Sequence, residues 1–284
     1  MSSTRVSIAD LKQMKAEGHK IVMLTAYDAP LAHFVEAGGV PAILVGDSLG
    51  NTVLGHENTL PVTMDDILRH TQAVVRGTRR ALVIADMPFL SYQVSTEQAL
   101  RNAGRLLQEG GAQGVKLEGG KQTVGITARL VDAGIPVMGH LGLTPQSVHQ
   151  LGGYRAQGRT LAEAEELQSD ALALERAGAF AIVLESIPAT LAEQITASLS
   201  IPTIGIGAGV HCDGQIQVLH DILGLNPNPE HPRHAKAYGD LGNDLRNAVN
   251  AYVQDVESGA FPTREHSFLL PNEVARALRK ESAV

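Results

Sequence analysis

Tryptophan is missing from this chain, cysteine occurs once, and five Phe and five Tyr are its only other large aromatic residues. Each shortage closes off a class of function. A lone Cys212 cannot form an intramolecular disulfide, and no nucleophile motif surrounds it. Met1–Val6 is polar and does not resemble a signal peptide, so thiol and N-terminus together point to a reducing, cytoplasmic setting. So few aromatics cannot build a stacking platform for single-stranded nucleic acid. A formal charge of −7 lacks the basic face that a nucleic-acid binder displays. Apolar runs are broken by Asp, Gly or Pro well short of the ~20 residues that span a bilayer, which excludes a membrane-spanning helix.

What the chain has instead is a set of short apolar runs that end in acids. AILVGDS reaches Asp47, ALVIADMPF reaches Asp86, GVKLEGG reaches Glu118 and AFAIVLES reaches Glu185. Each reads as a buried parallel strand with its acid at the C-terminal end. Strands and helices alternate throughout. The expected strands are 21–28, 42–48, 81–89, 114–119, 136–143, 179–186 and 203–209, and QVLHDILGL (217–225) is the segment that could hold strand eight. Ser7, Thr63 with Asp66, and Ser95 with Gln98 mark helix starts. Glu36-Ala-Gly-Gly, Glu109-Gly-Gly, Asp132-Ala-Gly and Arg176-Ala-Gly repeat a glycine helix stop before the next strand.

Eight β/α units in strict alternation imply a parallel sheet with right-handed crossovers, and 284 residues suit a closed (β/α)8 TIM barrel of about 250 residues plus extensions. The expected organisation is one barrel domain over 1–284, with an N-terminal helix in 1–20. An irregular segment and helices over 226–284 form a C-terminal extension.

In such a barrel the C-terminal strand ends converge on one face, where chemistry is done. Acids meeting there repel one another unless a cation joins them. Oxygen donors from rigid strands suit a hard ion such as Mg²⁺, whose shell is completed by water and substrate. The alternative for each acid is to cap a helix or pair with an Arg. Lys116 precedes Glu118 by two residues, so both point into the barrel. It can hold a substrate oxygen, pair structurally with Glu118, or serve as a Schiff-base lysine. His140 ends strand five as a site residue or as a hydrogen-bonded core histidine. Glu185, opposite Asp47 in barrel order, is placed to be a general base or a salt-bridged rim residue. Gly205, Gly207 and Gly209 have the wrong setting for a dinucleotide fingerprint and read as tight barrel packing or as a close backbone approach to a ligand. The loop with Gly152, Gly153, Arg155 and Arg159 reads as a lid, a contact for an anionic ligand, or plain surface.

The strings TAYD, LVGDSLGNTVLGH, TLPVT, ADMPF, VKLEGG, GHLGLTPQS, GGYRAQGR, LES and IGIGAG, with EHSF at Glu265–Phe268, resemble the ketopantoate hydroxymethyltransferase family. The resemblance implies a phosphoenolpyruvate/pyruvate-type barrel that assembles as a homo-oligomer, typically a decamer. It implies transfer of a hydroxymethyl group from 5,10-methylenetetrahydrofolate to 3-methyl-2-oxobutanoate, with one Mg²⁺ or similar ion per subunit stabilising an enolate. It assigns Asp47, Asp86 and Glu118 to the metal, and Asp47, Ser48, Asp86 and Lys116 to substrate. Glu185 becomes the proton acceptor; His140 is expected as a supporting residue behind them from its place at the end of strand five, not from the resemblance. Two other readings compete: a related Mg²⁺ barrel doing lyase or mutase chemistry on another 2-oxo acid, separated by folate dependence, and an inactive ligand-binding barrel, which the loss of a strand-end acid would have favoured.

Overall fold

The computed structural model describes residues 4–226 and 232–281. Part of the expected irregular segment, 227–231, and the terminal residues 1–3 and 282–284 lie outside them. In chain order the elements begin with α1 (Ile8–Ala16), β1 (Ile21–Thr25), α2 (Ala29–Ala37), β2 (Ala42–Val45), α3 (Leu49–Thr52), α4 (Met64–Gly77) and β3 (Leu82–Asp86). Next come α5 (Thr96–Gln108), β4 (Gly114–Glu118), α6 (Lys121–Asp132), β5 (Val137–Gly142), α7 (Val148–Leu151), α8 (Leu161–Arg176) and β6 (Ala181–Glu185). The chain continues through α9 (Ala189–Ser198), β7 (Thr203–Ile206), β8 (Gly214–Gln217), α10 (Leu219–Leu223), α11 (Leu241–Ser258) and α12 (Asn272–Glu281). The strands close in sequence order into one barrel, every pair parallel, with β8 returning to β1.

Local chemistry sets the helix starts. Ser7 with Asp10, Thr63 with Asp66 and Thr160 with Glu163 form reciprocal capping boxes, each cap contributing about 1 kcal/mol. At Ser95 only half of the expected box forms: its hydroxyl accepts from Gln98 N–H, while the buried Gln98 Oε1 has no partner. The recurring glycine stops adopt positive φ at Gly39, Gly111, Gly134 and Gly178, as the αL helix ending requires.

Strand eight is not at 217–225. The short polar segment Gly214–Gln217 forms β8, and Leu219–Leu223 forms α10, which Gly224 ends in the left-handed region. The apolar run LHDILGL buries its helical face instead: Leu219, Ile222 and Leu223 pack with Ala32, Val35 and Val74 on the outer layer. The other strands are shorter than the apolar runs that announced them, and β1 and β7 end at Thr25 and Ile206.

Strand parity then divides the core. Ile21, Met23, Ala42, Leu44, Leu82, Ile84, Met138, Val183, Ile204 and Ile216 point inward and fill the barrel. Leu11 of α1, with Val6, Ile8 and Met14, joins this cluster, so the N-terminal helix plugs the barrel. The alternate residues, such as Val115, Leu117, Ile182 and Leu184, meet the surrounding helices. Continuing the inward set toward the C-terminal strand ends gives Asp86, Lys116, Glu118, His140 and Glu185. The barrel's own alternation therefore collects these polar side chains at one mouth. Gly142 lets β5 and β6 meet there: its φ is +94°, and a Cβ would sit 2.2 Å from Glu185 O.

Candidate active site

Cross-strand register orders the mouth. Asp86 lies level with Lys116, Glu118 with His140, and Gly142 with Glu185, so the polar residues climb one layer at a time around the staggered strands. Asp47 and Ser48 follow β2 by two and three residues. The Asp47 N–H donates to Asp86 Oδ2 at 3.0 Å, which couples the first two acids directly. Ser48 has no capping bond at the start of α3; its hydroxyl is 2.7 Å from the buried Tyr27 hydroxyl instead. Burial pushes the Tyr27 phenol up to about 12, so it stays protonated.

Lys116 Nζ stands 2.9 Å from Asp86 Oδ1, 3.5 Å from Glu118 Oε1 and 2.9 Å from His140 Nδ1. Its main ion-pair partner is thus Asp86, not the Glu118 that sequence spacing suggested. Burial opposes its charge, but Asp86, Glu118 and Asp47 outweigh that and raise its pKa. His140 faces Glu118 Oε1 at 3.3 Å through Nδ1 and Glu185 Oε2 at 3.2 Å through Nε2. Burial and Lys116 disfavour the imidazolium, yet the two carboxylates prevail and push it up to about 9. For Glu118, burial raises the carboxyl, but Lys116, His140 and the Gln146 N–H bring it down to about 2.

Asp47 goes the other way. Burial first, then Asp86 and Glu118, push its carboxyl well above the usual range, and Asp86 is raised by burial as well. Four acids thus share the mouth with two basic groups. Such an excess of buried carboxylate is what a hard divalent cation relieves. The donor set fits one: Gln146 holds Asp47 through Oδ2, leaving Oδ1 to offer, and Asp86 Oδ1 meets Lys116 as an ion pair at 2.9 Å. The acids do not form a ready cage, however. Among the described residues no three His, Cys, Asp or Glu side chains already surround one point, because Lys116 stands between Asp86 and Glu118.

These shifts fix a pH dependence for the protein held in chelator. His140, Asp47 and Asp86 have raised folded values, so their stabilising contributions are lost as pH rises; for His140 the window runs from 6.5 to about 9. Glu118 is depressed, so its contribution is present above 4.5 and lost as pH falls toward about 2. The melting temperature in EDTA is expected to fall between pH 6.5 and 9, and a flat profile there would contradict the charge balance.

Several residues that sequence reasoning passed over belong to the site. Gln146 donates through Nε2 to Asp47 Oδ2 at 2.9 Å and to Met87 O at 3.0 Å, and its backbone N–H donates to Glu118 Oε2 at 3.0 Å. Tyr92, fully buried, accepts from Glu118 N–H and has Gln146 Oε1 within reach. Tyr154, in the Gly152–Arg159 loop, feels Asp47, Glu185 and Glu118, and its phenol is raised by burial and by them. That loop is anchored beside Glu185 by a bond from Gln157 N–H to Ser186 O, 3.0 Å long. Gln146 and Tyr154 lie inside the strings GHLGLTPQS and GGYRAQGR, whereas Tyr92, six residues past the end of β3, carried no signal of its own. Gly205 of β7 and Gly209 beyond its end are packing positions: a Cβ on Gly205 would sit 3.0 Å from Cys212 Sγ, and one on Gly209 2.5 Å from Ala189 Cβ. Cys212 itself is a buried thiol.

Comparison with known proteins agrees with this geometry. Residues 5–264 match the family model for ketopantoate hydroxymethyltransferase. The 3-methyl-2-oxobutanoate hydroxymethyltransferase of Dehalococcoides mccartyi strain CBDB1 is 58% identical over 276 residues, 97% of this chain and 99% of that one. Its counterpart from Carboxydothermus hydrogenoformans is 56% identical over 270 residues, 95% and 98% of the two chains. Among solved structures, a phosphonopyruvate hydrolase aligns with a TM-score of 0.59 at 13% identity, covering 100% of this chain and 97% of its own. A 2,3-dimethylmalate lyase of the PEP mutase/isocitrate lyase superfamily gives 0.57 at 15%, covering 97% and 98%. At that identity the likeness establishes the shared barrel fold.

Proposed function

The chain belongs to the ketopantoate hydroxymethyltransferase family, and we propose that it transfers a hydroxymethyl group from 5,10-methylenetetrahydrofolate to 3-methyl-2-oxobutanoate, giving 2-dehydropantoate for pantothenate biosynthesis. The observation that carries this reading to the residues is the buried cluster of Asp47, Asp86, Lys116, Glu118 and His140, with Glu185 at its outer edge.

Asp47, Asp86 and Glu118 would hold a divalent cation, Mg²⁺ in this proposal. When bound, it supplies a Lewis acid for the oxygens of the 2-oxo acid. The chain's own groups do the rest. Glu185 takes the proton from C3. Its side chain is 14% exposed while that of His140 is 3% exposed, so it is the member of the pair with access to the mouth. His140 Nε2 faces that carboxylate at 3.2 Å as an ion-pair partner and answers its change in charge. Lys116, kept cationic by Asp86, places positive charge where the substrate oxygens become negative. The Ser48 hydroxyl, held by Tyr27, is a fixed polar contact for substrate. The Gly152–Arg159 loop borders, through Gln157 and Gly158, a cleft of about 290 Å³ that is also lined by the acids Glu163, Glu166 and Asp170; Arg155 and Arg159 do not line it, and their suitability for the anionic tail of the folate donor rests on their charge alone.

Assembly into a homo-oligomer, a decamer in this proposal, is supported by α11. Its apolar residues Leu245, Val249, Tyr252 and Val256 recur on one helical face and are all exposed. Among the described residues no helix is long and apolar enough to cross a membrane. A cytoplasmic setting is part of this proposal and is supported by the single, unpaired thiol Cys212.

Proton–deuterium exchange at C3 of 3-methyl-2-oxobutanoate, followed by NMR in D₂O, tests the reaction. Exchange that depends on Mg²⁺ and precedes any folate is the expected result. Absence of exchange both alone and with a folate analogue bound would overturn the proposal.

A further inference from the structure

Gln146 takes no step in the reaction proposed above, yet it touches the products of four strands. Its amide Nε2 reaches Asp47 after β2 and Met87 O after β3; its backbone N–H reaches Glu118 of β4; and it sits four residues beyond β5. We propose that Gln146 is a positioning residue that aims the Asp47 carboxylate for the divalent cation. This inference rests on the reading of Asp47, Asp86 and Glu118 as the cation's holders.

The amide can point only one way. Met87 O is a carbonyl and must receive a hydrogen, so Nε2 faces it and Asp47, at 3.0 and 2.9 Å. Oε1 then faces the Tyr92 hydroxyl at 3.0 Å and Gln93 Nε2 at 3.4 Å. The Met87 carbonyl alone therefore sets the amide's direction; the Tyr92 hydroxyl follows it, its single proton lying between Gln146 Oε1 at 3.0 Å and Glu118 O at 2.9 Å. Asp47 Oδ2 is tied down, and Oδ1 is left to offer. The same residue's N–H takes Glu118 Oε2 and leaves Oε1 toward Lys116 and His140. Gln146 thus divides each carboxylate into a held oxygen and a working one. Outer hydrogen-bond partners of ligating groups orient them in this way, and their loss characteristically weakens metal binding.

A buried glutamine that merely satisfied Met87 O would affect stability alone, which gives the test. Full-length wild type, Gln146→Met and Tyr92→Phe would be titrated with Mn²⁺, reading the electron paramagnetic resonance signal of the free ion. Melting temperatures in EDTA and steady-state KM and kcat for the 2-oxo acid would accompany the titration. Gln146→Met keeps the volume and removes the donor; it is expected to weaken Mn²⁺ binding ~10–100-fold and to raise KM more than it lowers kcat at saturating ion. Tyr92→Phe frees the amide without deleting it but also removes the hydroxyl that meets Glu118 N–H and O, so it should weaken binding in the same direction through both tethers. Unchanged Mn²⁺ affinity with only a lower melting temperature overturns the proposal. Should Gln146→Met fail to fold, Gln146→Leu, which also removes the donor, decides by the same criterion. A wild type that binds no Mn²⁺ overturns the cation reading and this inference together, whereas binding equal in all three proteins overturns this inference alone.

Discussion

Glu185→Gln is expected to slow C3 proton exchange roughly 10²–10⁴-fold, the span a positioned base contributes, while affinity for 3-methyl-2-oxobutanoate stays close to wild type. The amide has the carboxylate's shape and keeps an oxygen for His140 Nε2, now 3.2 Å from Glu185 Oε2, so geometry is preserved and basicity is removed. Substrate affinity is assigned to other residues, on β2 to β4, which the substitution does not reach. NMR exchange rates and calorimetric titration of the 2-oxo acid separate the two effects. Exchange surviving at the wild-type rate would mean that another group removes the proton, and His140 would be the nearest alternative. Loss of exchange and of binding together would place Glu185 in the binding set instead.

The mouth of this barrel was legible in the sequence because two periodicities coincide. Alternation along a strand set Lys116, Glu118, His140 and Glu185 on the inner face, and the apolar runs set the level at which each strand ends. Both follow from local rules, and the structure brings these residues together. What local rules do not supply is which acid a given cation meets. Spacing on β4 suggested Lys116 with Glu118, but the parallel register puts Asp86 beside Lys116, and that contact is the shorter at 2.9 Å. β8 was misplaced for a related reason. Gly214–Gln217 has one inward apolar residue, Ile216, and is a strand because β1 and β7 pair with it on either side. Its propensity is decided by neighbours distant in sequence. Gln146 and Tyr92 carry no periodic signal at all. Their roles exist only once the loops after β3 and β5 are folded over one another.

Lys116→Met should reveal how much unbalanced charge the site stores. Among the described residues the ammonium is the only Lys or Arg group paired with Asp86 and Glu118, and methionine fills similar space without charge. Removing one partner of a buried ion pair costs ~3–5 kcal/mol, a drop in melting temperature on the order of 10 °C for a chain this long. That drop is expected in EDTA. Added Mg²⁺ should then raise the melting temperature of the variant by more than it raises that of wild type, because the ion replaces the missing positive charge among Asp47, Asp86 and Glu118. Hydroxymethyl transfer should remain strongly impaired even at saturating Mg²⁺, since a cation serving as counter-charge cannot also stand where the ammonium meets the substrate oxygen. Thermal denaturation with and without Mg²⁺ reads the first effect, and product formation the second. Equal melting temperatures in EDTA would show that protonation of Asp47 or Asp86, both already raised by burial, absorbs the loss. The carboxylates would then be neutral before any cation arrives, and the charge excess could not be the reason the site takes one.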